Sequence, residues 1–259
     1  MLIDTHCHLD DSSLRPRLEK VIAAARDAGV DRFIVPGVAP EGWDGIAALA
    51  VDRPTIFPAF GIHPMASDRA DDRALARLAT LARGAVAIGE IGLDYLVPSP
   101  SRAVQQVAFR EQLRIAVSAG IPALIHCRKA FQDILRILRE EGVGRIGGIM
   151  HAFSGSVETA RECIGLGLLI SVSGTVTYHN AVRPVAVARE IPMGSLVLET
   201  DAPDMTPEPL RGTPNEPAFM IETARRLAEL KGVPLEEVAR ETTKNAHHLL
   251  RLRSGHERG

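Results

Sequence analysis

Histidine and acidic side chains recur in this sequence at positions where they could bind a divalent cation. Most end short apolar runs, and these are His6, His8, Glu90, His126, His151, Glu199 and Asp201. His63 lies just past another such run. In an extended strand side chains alternate with a period of two, so His6 and His8 face one side, as do Glu199 and Asp201. Burying these groups without a cation would cost several kcal/mol in lost hydration, so we predict a metal site.

Six ligand-type side chains exceed the three protein ligands that a catalytic zinc usually takes. We therefore predict two divalent cations. Mixed imidazole and carboxylate ligands suit Zn, Mn or Fe and tolerate Mg less readily, and the sequence leaves the element open. The predicted ligands are His6, His8 and Asp201 for one cation, His126 and His151 for the other, and Glu90 as the bridge between them.

Eight apolar, β-rich runs alternate with segments that have helical apolar spacing. The predicted strands are residues 2–8, 32–38, 55–62, 85–92, 122–127, 147–153, 168–173 and 196–201. This alternation predicts a parallel sheet, and eight units in 259 residues predict a single-domain α/β fold, the (β/α)8 TIM barrel. Such barrels build their sites at the C-terminal ends of the strands, where the histidines and acids fall.

Two further helical patterns follow between Asn215 and Leu250. The barrel is predicted over residues 1–252, and residues 253–259 are predicted to be a disordered tail.

The amino-acid composition limits the classes of protein to which this sequence can belong. A hydrophobic share of 46% and a charged share of 24% predict a buried core and exclude a disordered chain. The net charge of -2 provides no general attraction for polyanions, so nucleic acid would need local contacts. The first residues lack the basic start and apolar run of an export signal, and no apolar run is long enough for a membrane span. We expect a cytoplasmic monomer with three reduced cysteines.

Seven segments carry a family resemblance: LIDTHCHLD, GIHP, AIGEIGLDY, ALIHCR, HAFSGS, LETDAPD and PNEP. In this order, from Met1 to about Leu252, they resemble the TatD-like hydrolases of the amidohydrolase superfamily. The resemblance implies a Mg- or Zn-dependent deoxyribonuclease and assigns metal-ligand roles to the same six side chains. Pro214 stands where the family commonly has arginine.

A binuclear centre of this kind can polarise a phosphodiester and lower the pKa of a water. Asp201 is the predicted proton acceptor, because it is both a ligand and an acid at the strand end. Glu199 is predicted to orient a ligand or a water. His63 and Arg128 are the predicted phosphate contacts, and His63 could also protonate the leaving group. An ion pair with a neighbouring acid is the alternative for Arg128.

Several other residues have both a functional and a structural interpretation. Trp43 and Tyr178 are placed in loops, where a ring could stack on an unpaired base or pack within the loop. Ser154–Ser156 precede a helical pattern and could bind a phosphate or cap the helix. Cys7 and Cys127 neighbour predicted ligands and should therefore point into the core.

The leading interpretation is a 3'-5' deoxyribonuclease that acts on single-stranded DNA ends, because the open end of a barrel admits a strand terminus more easily than a duplex. One alternative is a hydrolase of a small phosphate ester, amide or aminoacyl ester on the same centre. A remote alternative is a metal-binding scaffold without catalysis.

Overall fold

A computed structural model describes residues 1–252 of the chain, so the predicted tail at 253–259 lies outside the described residues. Eight strands form one sheet in the order β1 to β8, and all neighbouring strands are parallel. The strands are β1 Leu2–Asp4, β2 Val30–Pro36, β3 Ile56–Phe60, β4 Ala87–Asp94, β5 Ala123–Arg128, β6 Gly148–Met150, β7 Leu168–Val172 and β8 Leu196–Leu198. This order confirms the predicted (β/α)8 barrel.

A helix follows each strand, as a parallel sheet requires. The helices are α1 Leu18–Asp27, α2 Trp43–Val51, α3 Asp72–Leu81, α4 Arg102–Ala119, α5 Phe131–Glu140, α6 Val157–Gly165, α7 Arg183–Glu190, α8 Met220–Lys231 and α9 Leu235–Leu250. Left-handed Gly232 ends α8 and Pro234 precedes α9, which matches the break predicted there.

A layer of apolar side chains fills the barrel below the site. Each strand contributes one member to it: Ile3, Ile34, Ala59, Ala87, Leu124, Ile149, Leu169 and Val197. Leu250 and Leu252 pack against this layer from the end of α9. Asn245 of α9 donates hydrogen bonds to the carbonyl oxygens of Met193 and Leu196, at the N-terminal end of β8. Helix α9 therefore covers one end of the barrel and leaves the opposite end, here called the mouth, for chemistry.

The seam between β1 and β8 is made by side chains and loop amides. Asp4 Oδ1 accepts hydrogen bonds from the amides of His6 (3.3 Å) and Thr200 (2.9 Å). The amide of Asp201 donates to the carbonyl oxygen of His6 at 2.8 Å. Because the Asp4 carboxylate replaces regular strand pairing here, β1 and β8 end earlier than the predicted 2–8 and 196–201. The ligand-type residues therefore lie on the loops just past both strands.

Two further expectations from the sequence concern membrane spans and the state of the cysteines. Among residues 1–252, no helix has both the length and the apolar character that crossing a bilayer demands. The three cysteines are buried free thiols, and burial raises the pKa of Cys127 and Cys163 to about 12.

Candidate metal centre

The predicted ligands, together with His63 and Glu199, converge at the mouth from six different strands. Glu90 lies within β4 and His126 within β5, whereas His151 directly follows β6. The remaining members lie on loops, namely His6 and His8 after β1, His63 after β3, and Glu199 and Asp201 after β8. Glu90 is 4% exposed and His6 is 1% exposed, so the cluster lies below the rim of the mouth.

The Glu90 carboxylate lies at the centre of this cluster. Its Oε2 is 3.3 Å from His6 Nε2 and 4.0 Å from His8 Nε2. Its Oε1 lies close to the ring nitrogens of three other histidines, at 2.8 Å from His126 Nδ1, 3.6 Å from His63 Nε2 and 3.6 Å from His151 Nε2. The two oxygens thus face different sets of imidazoles, which is the arrangement that a bridging carboxylate requires.

Asp201 approaches the same cluster from the other side of the seam. Its Oδ1 lies 3.7 Å from Nε2 of both His6 and His8, and 3.6 Å from His151 Nε2. Its backbone has a φ of 57°, in the left-handed region that non-glycine residues seldom adopt. Hydrogen bonds on both sides hold this conformation, from the Asp201 amide to His6 and from the Asp204 amide to the Asp201 carbonyl oxygen.

Asn215, in the PNEP segment, secures the loop that carries Asp201. Its buried amide nitrogen Nδ2 donates to the carbonyl oxygens of Thr200 (2.8 Å) and Asp204 (2.6 Å). The neighbouring Glu216 forms an ion pair with Arg17 in the loop after β1. This segment, which begins at Pro214, therefore ties the two sides of the seam together.

The donor set fits divalent cations. Both ring nitrogens of His6 are buried without a hydrogen-bond partner among the described residues. Buried nitrogens of this kind need a ligand to offset their lost hydration. Three groups have ligand atoms within 4.8 Å of one another: His6, His8 and Glu90; His6, His151 and Glu199; and His63, Glu90 and His126.

The geometry divides the cluster differently from the predicted assignment. The ring of His151 stacks on that of His6 with centroids 3.6 Å apart, so it lies with the first predicted group. His63 lies with Glu90 and His126, where it had been assigned only to substrate. The local distances therefore favour His63 as an additional nitrogen donor beside His126, and they group His151 with His6.

The pKa shifts in the cluster show which positive charge a bound cation would replace. Burial lowers the pKa of His151, but the negative charges of Glu199, Asp201 and Glu90 outweigh this and raise it to about 10. Burial, together with the positive charge of His151, lowers the pKa of His6 to about 4, and burial, together with the negative charges of Glu90 and Glu199, raises that of Asp201 to about 6. A proton on His151 thus balances the buried carboxylates when no cation is present. A divalent cation would supply the same compensation with more charge.

Glu199 orients His151. Its Oε2 lies 3.1 Å from His151 Nδ1, and its Oε1 accepts a 2.6 Å hydrogen bond from the Ala152 amide. This leaves His151 Nε2 directed at Glu90 and Asp201. A carboxylate on the far nitrogen of a ligand histidine fixes its tautomer and raises its basicity.

Asp94 contacts His126 much as Glu199 contacts His151, and the sequence analysis did not identify this residue. Its Oδ2 lies 3.6 Å from His126 Nε2 and 4.0 Å from Arg128 Nη1, while its Oδ1 accepts from the Leu96 amide at 2.8 Å. The signal was present, because Asp94 follows Glu90 by four residues on the same strand and so faces the same side. We infer that Asp94 directs His126 Nδ1 toward Glu90.

Asp94→Asn is expected to weaken cation retention by about 10- to 100-fold, the range typical for residues that support a metal ligand. Asparagine keeps an oxygen for the Leu96 amide but no longer presents a carboxylate to His126 Nε2. Competition with a graded series of chelators measures the effect. Asp44→Asn, at an exposed ion pair with Arg77, is the matched control. Identical competition curves for the two variants would remove Asp94 from this role.

The two predicted phosphate contacts, Arg128 and His63, differ in how deeply their side chains are buried. The Arg128 side chain is 61% exposed, so its guanidinium stands at the rim, where within residues 1–252 its one acidic neighbour is Asp94 at 4.0 Å. His63 is buried, and its Nδ1 accepts from the Met65 amide at 3.2 Å, which leaves Nε2 facing Glu90. Burial lowers the pKa of His63 to about 4. A neutral imidazole can hydrogen-bond to substrate or ligate a cation, but it is poorly suited to protonate a leaving group at neutral pH.

The predicted loop position of Trp43 is wrong. Trp43 begins α2, is fully buried, and donates from Nε1 to the carbonyl oxygen of Gly61 at 3.0 Å. Tyr178 does lie in the loop after β7, with the Arg211 guanidinium 4.6 Å from its ring centre. Ser156 caps α6 by accepting from the Thr159 amide, so its helix-capping interpretation holds.

Trp43→Phe is expected to lower the free energy of unfolding by about 1 to 3 kcal/mol, because the carbonyl oxygen of Gly61 would lose its buried partner. Affinity for single-stranded DNA should not change, since the indole cannot reach a base. Urea denaturation and a binding titration measure the two quantities. Loss of affinity without loss of stability would restore the stacking interpretation.

The described fold and its histidine–carboxylate centre together define a (β/α)8-barrel metal-dependent hydrolase. The family model described as TatD related DNase matches residues 3–251, and the chain belongs to that family. Its relative YabD from Bacillus subtilis (strain 168), called an uncharacterized metal-dependent hydrolase, is 39% identical and covers 97% of this chain and 100% of its own length.

Solved structures agree with this placement. The crystal structure of YjjV, a TatD homolog from Escherichia coli K12, has a TM-score of 0.93 at 34% identity, over 97% of this chain and 98% of that one. An uncharacterized amidohydrolase from Saccharomyces cerevisiae shares the fold, with a TM-score of 0.78 at 19% identity over 96% of this chain and 99% of that one. The resemblance inferred from the seven sequence segments is thereby confirmed.

Proposed function

We propose that this protein hydrolyses phosphodiester bonds at the 3' end of single-stranded DNA with the help of two divalent cations. The observation that carries the proposal is the gathering of five imidazoles around the buried carboxylates of Glu90 and Asp201, at the mouth of a TatD-family barrel. Bound cations would polarise the phosphodiester and lower the pKa of the attacking water.

The protein's own residues have separate roles in the proposed reaction. Glu90 holds the two ligand groups at a fixed separation, because each of its oxygens faces a different set of imidazoles. Asp201 accepts the proton of the attacking water, because it presents a buried carboxylate beside the imidazoles of the ligand groups. Glu199 and Asp94 keep His151 and His126 in their ligating orientations.

The depth of the metal centre and the charges at the mouth favour the end of a DNA strand as the substrate. The reacting groups are almost fully buried, so a phosphate must enter the mouth to reach them. Arg128 at the rim offers a planar guanidinium for bidentate contact with a phosphate. Buried His63 presents Nε2 next to Glu90, where it can contact an entering phosphate or complete a ligand group. With so few cationic side chains at the mouth, affinity should be modest and sensitive to salt.

The test is the digestion of a 5'-labelled single-stranded oligonucleotide by protein loaded in turn with Mg, Mn and Zn. We expect labelled products that shorten step by step, little cleavage of the same sequence as a duplex, and protection by phosphorothioate linkages at the 3' end. Glu236→Gln on the exposed surface of α9 is the control for variants of the centre. Hydrolysis of small phosphate or aminoacyl esters without any DNA cleavage would replace the nuclease proposal with the small-ester alternative.

A further inference from the structure

A groove with a volume of about 560 Å³ lies on the outer surface between α1 and α2. It exists because the side of α2 that faces it carries small residues: Gly45 has no side chain, and Ala48 one turn later has only a methyl group. Leu18 and Leu49 line its buried part. The groove is separate from the metal centre, and the mechanism does not use it.

Positive charge is concentrated along this groove. Its basic lining residues are Arg15, Arg17, Lys20 and Arg53, against one acidic residue, Glu19. Arg53 donates to Glu19 Oε1 from both Nε (3.1 Å) and Nη2 (2.7 Å), and Arg17 is paired with Glu216. Within residues 1–252, no acidic side chain forms an ion pair with Arg15 or Lys20. The groove is therefore locally cationic on a protein whose net charge is -2.

Arg15, in the turn that precedes α1, extends across the groove to α2. Its Nη1 lies 3.6 Å from the position that a Cβ on Gly45 would occupy, and the residue is exposed. The Arg15 amide donates to the carbonyl oxygen of Asp11 at 2.8 Å, which fixes the start of the side chain. An exposed guanidinium without an ion-pair partner among the described residues is suited to bind an anion from solvent.

The loop after β1 connects the groove to the mouth. Arg15 follows His8 by seven residues, so the two Cα atoms are at most about 25 Å apart even for a fully extended chain. The Arg17–Glu216 pair joins the same loop to the PNEP segment that secures Asp201. A strand whose end lies at the metal centre could therefore leave the mouth over this loop and continue along the groove.

We propose that the α1–α2 groove binds the phosphodiester backbone of the strand whose 3' end occupies the mouth; this rests on the proposed nuclease function. Arg15 and Lys20 contact successive phosphates, and binding gains from the release of condensed counterions. The groove is lined by aliphatic and charged residues without an aromatic ring, so it has no stacking surface and reads no base sequence. Binding strength should grow with strand length until the strand fills the groove.

The test measures binding of a fluorescent, phosphorothioate-protected oligothymidylate to the metal-loaded full chain by anisotropy, over a range of salt. Arg15→Gln combined with Lys20→Gln should weaken binding by roughly 25-fold at about 0.1 M salt. The slope of log K against log salt is negative, and it should become less steep by about 1.4, as expected for two lost contacts. Arg83→Gln combined with Lys244→Gln removes the same charge from exposed positions elsewhere and should leave both values unchanged.

Cleavage of two substrates separates this proposal from the nuclease function. The groove variant should process a long strand more slowly but hydrolyse a dinucleotide at the wild-type rate, since a dinucleotide ends before the groove. An unchanged salt slope would overturn the groove proposal, as would competition by polyglutamate as strong as that by oligothymidylate, which would indicate an acidic protein partner. If strands bind through the groove and none is cleaved, the groove assignment stands and the nuclease proposal fails.

Discussion

Replacing Glu90 by alanine is expected to reduce turnover by more than about 100-fold and to leave fewer than two equivalents of metal per chain. Loss of a residue that merely supports a ligand costs up to about 100-fold, and Glu90 contacts both ligand groups directly. Without its carboxylate, no single oxygen-bearing side chain faces His6 on one side and His126 on the other. We therefore expect both metal content and rate to fall together.

Metal analysis after gel filtration, paired with turnover on the oligonucleotide, measures this result. Glu90→Gln is the sharper companion variant, because it keeps the shape of the side chain and removes only its charge. Glu236→Gln makes the same chemical change at an exposed position and should keep wild-type metal content. If Glu90→Ala retained two equivalents, the bridging role of Glu90 would be excluded.

Asp201→Asn is expected to lower kcat by about 10²- to 10⁴-fold, the usual contribution of a general base, while affinity for single-stranded DNA persists. Asparagine is the right replacement because it tolerates the left-handed backbone at this position, where φ is 57°. The loop held by Asn215 should therefore keep its conformation. The amide can still approach the cluster but cannot accept the proton of the attacking water.

Single-turnover kinetics and anisotropy, measured on the same preparation, separate the lost rate from binding. Metal content must be determined in parallel, since Asp201 also faces His6 and His8 as a possible ligand. Retained metal with abolished turnover supports the base role. Wild-type turnover would remove Asp201 from that role and direct attention to Glu90.

The barrel could be predicted from sequence because every strand carries a continuous apolar run and every connection carries a helical pattern. The convergence of the ligand-type side chains was also predictable, since strand ends in a parallel barrel meet at one rim. The reason given for His6 and His8 was only partly right. Both reach the centre from the loop after β1, where the Asp4 carboxylate and not strand alternation determines the backbone path.

Other features depend on contacts between distant segments, which periodicity cannot show. Trp43 is buried because Gly61, eighteen residues away, offers a carbonyl oxygen to its indole. The separate grouping of His63 with His126 depends on how the loop after β3 approaches β5 beside Glu90. Asp94 was overlooked because its partners His126 and Arg128 lie on the neighbouring strand, although its own spacing from Glu90 was visible.

The seam between β1 and β8 also bears on how the protein is made. During synthesis on a ribosome, the five clustered histidines and Glu90 emerge well before Asp201, which arrives only with the last strand. Since cations held across this junction would bind the closed ring alone, they would stabilise it relative to incomplete rings. Chelation should then accelerate amide hydrogen exchange first at the two terminal strands, because bound cations would favour the complete ring over incomplete ones.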